Sequence, residues 1–137
     1  MVGLLHVPSL SNSNPHLKLG YHSELELEGQ FIALMGFPQF ENPKEKIWRD
    51  NFPDRSRLQI QLGETTGTRP LGISKPKLFS THDCMNCTGN IGSPVVNLTT
   101  GECVGVHVAG EYLNFGYFAT TFQLLENREF EKALWNR

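Results

Sequence analysis

The chain has 137 residues, 39% of them hydrophobic and 19% charged, with a formal net charge of -2. That length suits one folded domain with a modest core, and the missing basic excess excludes an electrostatic nucleic-acid binder. No charge run or apolar stretch of the ~20 residues needed to span a bilayer points to a membrane.

The N-terminal stretch, Met1 to Pro8, is apolar but lacks the basic start of an export signal, so the expected setting is cytoplasmic. The Asn86-Cys87-Thr88 and Asn97-Leu98-Thr99 patterns would matter only in a secreted chain. Three cysteines cannot close a disulfide framework, which fits free thiols. Thirteen glycines and eight prolines favour short strands and many turns over long helices.

In chain order, Val2 to Val7 reads as a short buried strand ended by Pro8, and Ser9 to His22 as a polar connection. Phe31 to Gly36 is an apolar run of strand length, closed by Phe37-Pro38. Glu41 to Asp54 carries Pro43 and Pro53 and reads as a surface excursion anchored by Ile47 and Trp48. Arg57 to Leu62 alternates strictly, which predicts a half-buried strand with Leu58, Ile60 and Leu62 on its core face.

Gly63 to Pro76 looks turn-rich, and Lys77 to Thr81 a short strand entering the Cys- and Gly-rich loop Asp83 to Gly92. Pro94 to Leu98 and Cys103 to Val108 read as a hairpin turning at Thr99 to Glu102, with Tyr117 to Phe122 a last strand. Beyond it, Leu124, Leu125, Phe130, Ala133 and Leu134 fall near helical spacing, which predicts one amphipathic C-terminal helix. The expected fold is all-β: a single six-stranded antiparallel barrel with a C-terminal helix.

The informative segment is Thr81 to Val96, above all Gly89-Asn90-Ile91-Gly92-Ser93-Pro94-Val95. Glycines on both sides of one residue allow a sharp turn from which backbone N–H groups converge on a developing oxyanion. Except at Ile91, the segment resembles the nucleophile loop of trypsin-like serine peptidases, Gly-Asn-Ser-Gly-Ser-x-Val. It is most similar to the branch of glutamyl endopeptidases and bacterial trypsin-like domains.

The resemblance runs over nearly the whole chain. Val2 to Leu5 is similar to the strand after the family's catalytic Asp, and Ile32 to Pro38 to the first strand of its second barrel. Arg57-Leu58 followed by Gly63 resembles the next strand and its turn, and Tyr117-Phe118-Ala119 the closing strand. Thr100 to Gly110 is similar to the strand lining the primary specificity pocket. The resemblance thus implies the C-terminal barrel alone: an inter-barrel strand remnant over 1–8, a linker over 9–28, the barrel over 29–121 and the helix over 122–137.

It also implies site residues. Ile91 occupies the nucleophile position, and the N–H groups of Gly89 and Ile91 would be the oxyanion donors. Asn86, His107, Val108 and Gly110 would contact a bound peptide. A His at the place of His107 helps glutamyl endopeptidases bind an acidic side chain, although packing beside the pocket explains it equally well. Isoleucine has no lone pair with which to attack a carbonyl. Met1 stands where the Asp belongs, and the His lies in the family's first barrel. Ser93, His6, His16, His22 and His82 sit in no recognisable substitute motif.

The expectation is therefore a catalytically inactive peptidase-like module that needs no cofactor. Its partner would be a peptide or protein, including a complementary N-terminal barrel or a second copy of the chain. The alternative is half of an active endopeptidase completed by a His- and Asp-bearing barrel. A zinc reading of His82, Cys84, Cys87, Cys103 and His107 is weaker, because a second close cysteine pair is missing. A Cys87–Cys103 disulfide is left open.

Overall fold

A computed structural model describes residues 17–39, 46–51, 57–87 and 89–135 of the chain. Six strands form its body: β1 (Phe31–Gly36), β2 (Gln59–Leu71), β3 (Lys77–His82), β4 (Pro94–Asn97), β5 (Cys103–Tyr112) and β6 (Phe115–Thr120). They close into an antiparallel barrel in the order β1-β2-β3-β6-β5-β4, the all-β architecture expected from the sequence. The readings on residues 1–16, 40–45 and 52–56, including the inter-barrel strand, lie outside the described residues.

Alternation along each strand builds the core. Ile32 and Leu34 of β1 point inward and meet Val95, Val104, Phe118, Cys84 and Leu27. Across from Ile32 sits Gly63 of β2, where a Cβ would come within 2.4 Å of the Asp83 carboxylate and 2.9 Å of the Cys84 sulfur. That inner position is already filled, so the even-numbered residues of β2 cannot occupy it.

This settles the orientation of β2, and it corrects the sequence expectation. The period-two pattern is there, but Leu58, Ile60 and Leu62 face outward at 49%, 55% and 66% exposure. Gln61 and Thr65 take the inner positions. With Phe31, at 61% exposure, the three residues form an apolar stripe on the outside of the barrel.

β2 also runs on to Leu71, through a stretch whose Gly and Pro content had suggested turns. Gly67, at φ 110°, absorbs a bulge between Thr65 and Gly67, after which the pairing with β3 continues to Leu71 opposite Lys77. β3 reaches one residue further than expected, to His82. The β4–β5 hairpin turns where expected: Asn97 Oδ1 accepts the N–H groups of Thr99 and Thr100, and Gly101 takes φ 73°.

β6 ends at Thr120, whose hydroxyl caps a short helix, α3 (Thr121–Leu125), in a capping box with Gln123. The tail is therefore two helices, not one, because a second, α4 (Arg128–Trp135), starts afresh where Asn127 Oδ1 accepts the Glu129 N–H. The same capping-box signal explains a helical turn, α1 (Glu24–Leu27), begun by Ser23 with Glu26, inside the expected linker. A further short helix, α2, spans Lys46–Asn51. Residues 18–20 run beside β5: Cys103 N–H donates to Lys18 O, and Gly20 N–H to Cys103 O. No described helix is long and apolar enough to cross a membrane.

Candidate functional site

The turn from Gly89 to Ser93 stands at one end of β4. Gly89 has φ 97° and Gly92 φ 88°, a region that side chains rarely enter, so both glycines are required by the backbone itself. A Cβ on Gly89 would also lie 2.8 Å from Gln39 N and 3.0 Å from Phe37 O. Two reciprocal bonds pin the turn to β5: Gly92 N–H donates to His107 O, and His107 N–H to Ser93 O, both at 2.9 Å. Within the turn, Asn90 N–H reaches Cys87 O and Ser93 N–H reaches Asn90 O.

Among the described residues, the N–H groups of Gly89 and Ile91 find no backbone acceptor, unlike those of Asn90 and Gly92. Ile91 stands out from the turn at 67% exposure. It forms one wall of a depression of about 420 Å³, together with Met35, Phe37, Leu58 and Pro94. Ser93 touches the same depression but is buried, with its hydroxyl where a side chain on Gly36 would have to go. Among the described residues, such a site offers hydrocarbon and two backbone N–H groups without a backbone acceptor, and none of its lining residues aims a nucleophilic oxygen outward.

The four residues expected to contact peptide divide into two places. Asn86 is buried, its amide donating to Cys84 O at 3.1 Å, and its Oδ1 lies against Gly110, where a Cβ would come within 2.0 Å. Gly110 is exposed and Val108 half-buried, the latter at a bulge between His107 and Ala109. His107 itself is 1% exposed, turned into the barrel.

There His107 meets a residue that sequence reasoning had set aside. Its Nδ1 lies 2.9 Å from Nε2 of His82, which is 0% exposed. One ring donates and the other accepts, so at least the accepting imidazole is uncharged. Among the described residues His82 Nδ1 has no partner, and a lone pair is cheaper to bury unpaired than an N–H. His82 is therefore the donor, through Nε2–H. Burial, and then the neighbouring His107, pushes the His82 pKa down to about 3, while burial alone pushes His107 down to about 4.

Gly116 makes the pairing possible. It lies opposite His82 on β6, and a Cβ there would sit 2.7 Å from the His82 ring and 2.8 Å from that of His107. A usable signal was present: two histidines and a glycine on three adjacent strands. The register that aligns them was not.

The three cysteines are free thiols, which closes the disulfide question among the described residues. Burial pushes the Cys84 thiol up to about 12 and raises that of Cys103. No group of three or more His, Cys, Asp or Glu side chains among the described residues is placed to hold a metal.

No family model and no curated protein matches this chain. Solved structures do. A serine-to-alanine mutant of the protease Rv3671c from M. tuberculosis H37Rv, in an inactive form, aligns with 93% of the chain at TM-score 0.65 and 14% identity. The HtrA-type protease AlgW with decapeptide aligns with 92% at TM-score 0.64 and 18% identity. The chain spans 58% of the first structure and 35% of the second. Neither favours a glutamyl endopeptidase branch over any other. At these identities the likeness speaks for architecture: the chain has the fold of a barrel from trypsin-like serine protease domains.

Proposed function

We propose that this chain is a trypsin-like protease barrel that keeps a peptide-binding groove and has lost the power to cleave. One observation carries the reading. At the tip of a turn with two unused backbone donors, the outward side chain is the hydrocarbon of Ile91. Oxyanion-type donors stabilise charge on a carbonyl oxygen only when a nucleophile adds to it. Without that step they serve as hydrogen-bond donors to a bound carbonyl.

The groove suits an extended peptide with apolar or uncharged side chains. His107 is neutral above pH ~4 and bonded to His82, so it brings no positive charge to an acidic side chain. This argues against glutamyl specificity at that position. The outward stripe of Leu58, Ile60, Leu62 and Phe31 fits a second role, docking a complementary barrel or a second copy. Neighbouring structures that are themselves longer than this chain, and AlgW's decapeptide, are consistent with both roles.

The test is incubation with a fluorophosphonate probe alongside titration with apolar hexapeptides. The expected result is no covalent labelling together with saturable peptide shifts at Gly89 to Ser93. Stoichiometric labelling refutes the loss of catalysis. Association is tested by light scattering, where a monodisperse monomer at high concentration counts against the docking stripe.

A second reading is half of an active protease, completed by a barrel bearing His and Asp. The apolar stripe favours it, since a partner barrel needs such a face. It also requires a serine at position 91. Under this reading, Ile91→Ser together with a supplied first barrel would hydrolyse a peptide ester. Under the first reading, Ile91→Ser alone stays inert.

A further inference from the structure

The β2–β3 hairpin extends past the barrel wall. Pairing of β1 with β2 stops at Glu64, and pairing of β3 with β6 stops at Ser80. The β2–β3 ladder continues to Leu71 opposite Lys77. Among the described residues, the segment from Thr66 to Leu71 therefore has a strand on one side only. An unpaired strand edge is a template for another strand.

The direction of its backbone groups can be worked out. Gln123 of α3 donates its side-chain amide to Leu78 O at 2.6 Å, from the side of β3 away from β2. Leu78 thus points its polar groups away from β2, and Leu78 opposite Pro70 is a non-hydrogen-bonded pair. By alternation, the groups of Pro70 and Thr68 face the open side. Pro70 lacks an N–H only where no ladder bond is lost, which is where proline is tolerated. The edge offers the Thr68 N–H and the carbonyls of Thr68 and Pro70, and Thr68, Arg69 and Pro70 are all exposed.

Charge selects the occupant. Between Thr65 and His82 there are three basic residues, Arg69, Lys75 and Lys77, and no acidic one. Elsewhere the chain has nine basic and fourteen acidic residues. Arg69 is held over the Phe115 ring at 4.9 Å, which fixes where its charge sits. Lys75 and Lys77 are exposed, and Ile73 between the strands is fully so. None of these residues lines the depression at Ile91.

We propose that the open edge of β2, from Thr66 to Leu71, binds an acidic peptide segment of a partner protein as an added antiparallel strand. Main-chain bonds to Thr68 and Pro70 set the register. Carboxylates of the segment face Arg69, Lys75 and Lys77. This site is independent of the groove beside Ile91.

The experiment is a heteronuclear NMR titration of the whole chain with a capped peptide of alternating Glu and Val. Amide shifts are expected from Thr66 to Leu71, with affinity falling as salt is raised. The double variant Lys75→Glu, Lys77→Glu alters only exposed side chains, and its own spectrum reports whether it stays folded. Binding to it is expected to fall roughly tenfold. N-methylation of alternate peptide residues should abolish binding in one of the two phases, because half of the peptide's N–H groups face β2.

Several results would overturn the proposal. They are shifts at Gly89 to Ser93 instead, unchanged affinity in the double variant, equal binding of a Lys–Val peptide, or no shifts up to the solubility of the peptide. Self-association of the chain through this edge, seen as concentration-dependent shifts without peptide, would assign the edge to a second copy and refute the acidic partner.

Discussion

Acidification should unfold this protein from within, and the histidine pair sets the magnitude. In the unfolded chain His82 and His107 take their ordinary pKa of 6.5; in the barrel these values fall to about 3 and about 4. As pH drops below 6.5, the unfolded state binds protons that the folded state refuses. Stability present at pH 7 is therefore lost progressively toward pH 4. Each pH unit below 6.5 costs about 1.4 kcal/mol per histidine, so by pH 5 the pair removes about 4 kcal/mol. That is a large share of the ~5–15 kcal/mol that holds a typical domain together.

Carboxylates do not confuse the window. Glu26 and Glu102 are held below their ordinary 4.5, Glu26 by hydrogen bonds from Ser23 and Glu102 by bonds from Lys18 and His22. The stability they add is present above pH 4.5 and disappears only below it. Urea unfolding followed by circular dichroism at half-unit steps from pH 7 to 5 reads the slope directly. The His82→Gln, His107→Gln double variant should flatten it whatever its absolute stability. A wild-type free energy that changes by less than ~1 kcal/mol over that range would refute the buried, neutral pair.

Three further outcomes follow from the same packing. Gly116→Ala should cost about 3 kcal/mol, combining overpacking with a strained imidazole bond, and should shift the urea midpoint without changing the strand signature. Leu62→Lys should leave stability within ~0.5 kcal/mol while reducing concentration-dependent association in light scattering. Under native conditions Ellman's reagent should modify Cys87, which is half-buried, well before Cys84 and Cys103, whose raised pKa values keep them protonated. Equal rates at all three would contradict the packing around Cys84.

Much of the barrel is legible in the sequence because its signals are local. The apolar run at Phe31 to Gly36 and the Thr99 to Glu102 turn are each specified within a few residues. What fails is non-local. Alternation at Arg57 to Leu62 identifies a strand but cannot say which face meets the core. Gly63 against Cys84 decides that from across the barrel. β2 persists through Gly67 and Pro70 because a bulge and an open edge tolerate them, neither of which composition reveals. At the site, the turn at Ile91 is written in its flanking glycines. His82 was missed as a partner because 25 residues separate it from His107, and only the register of β3, β6 and β5 joins them.

The bonds that pin the Ile91 turn carry one last implication. Gly92 and Ser93 exchange hydrogen bonds with the backbone of His107, whose ring lies in the barrel interior. The turn is thus a piece of the scaffold, kept in shape by whatever keeps the barrel folded. Its side chain at position 91 touches little and can change at almost no cost to folding. Selection for a folded barrel alone would preserve this turn's geometry whatever residue stands at position 91. The shape of the turn thus reports on the barrel, and under the proposed function only the residue at its tip bears on chemistry.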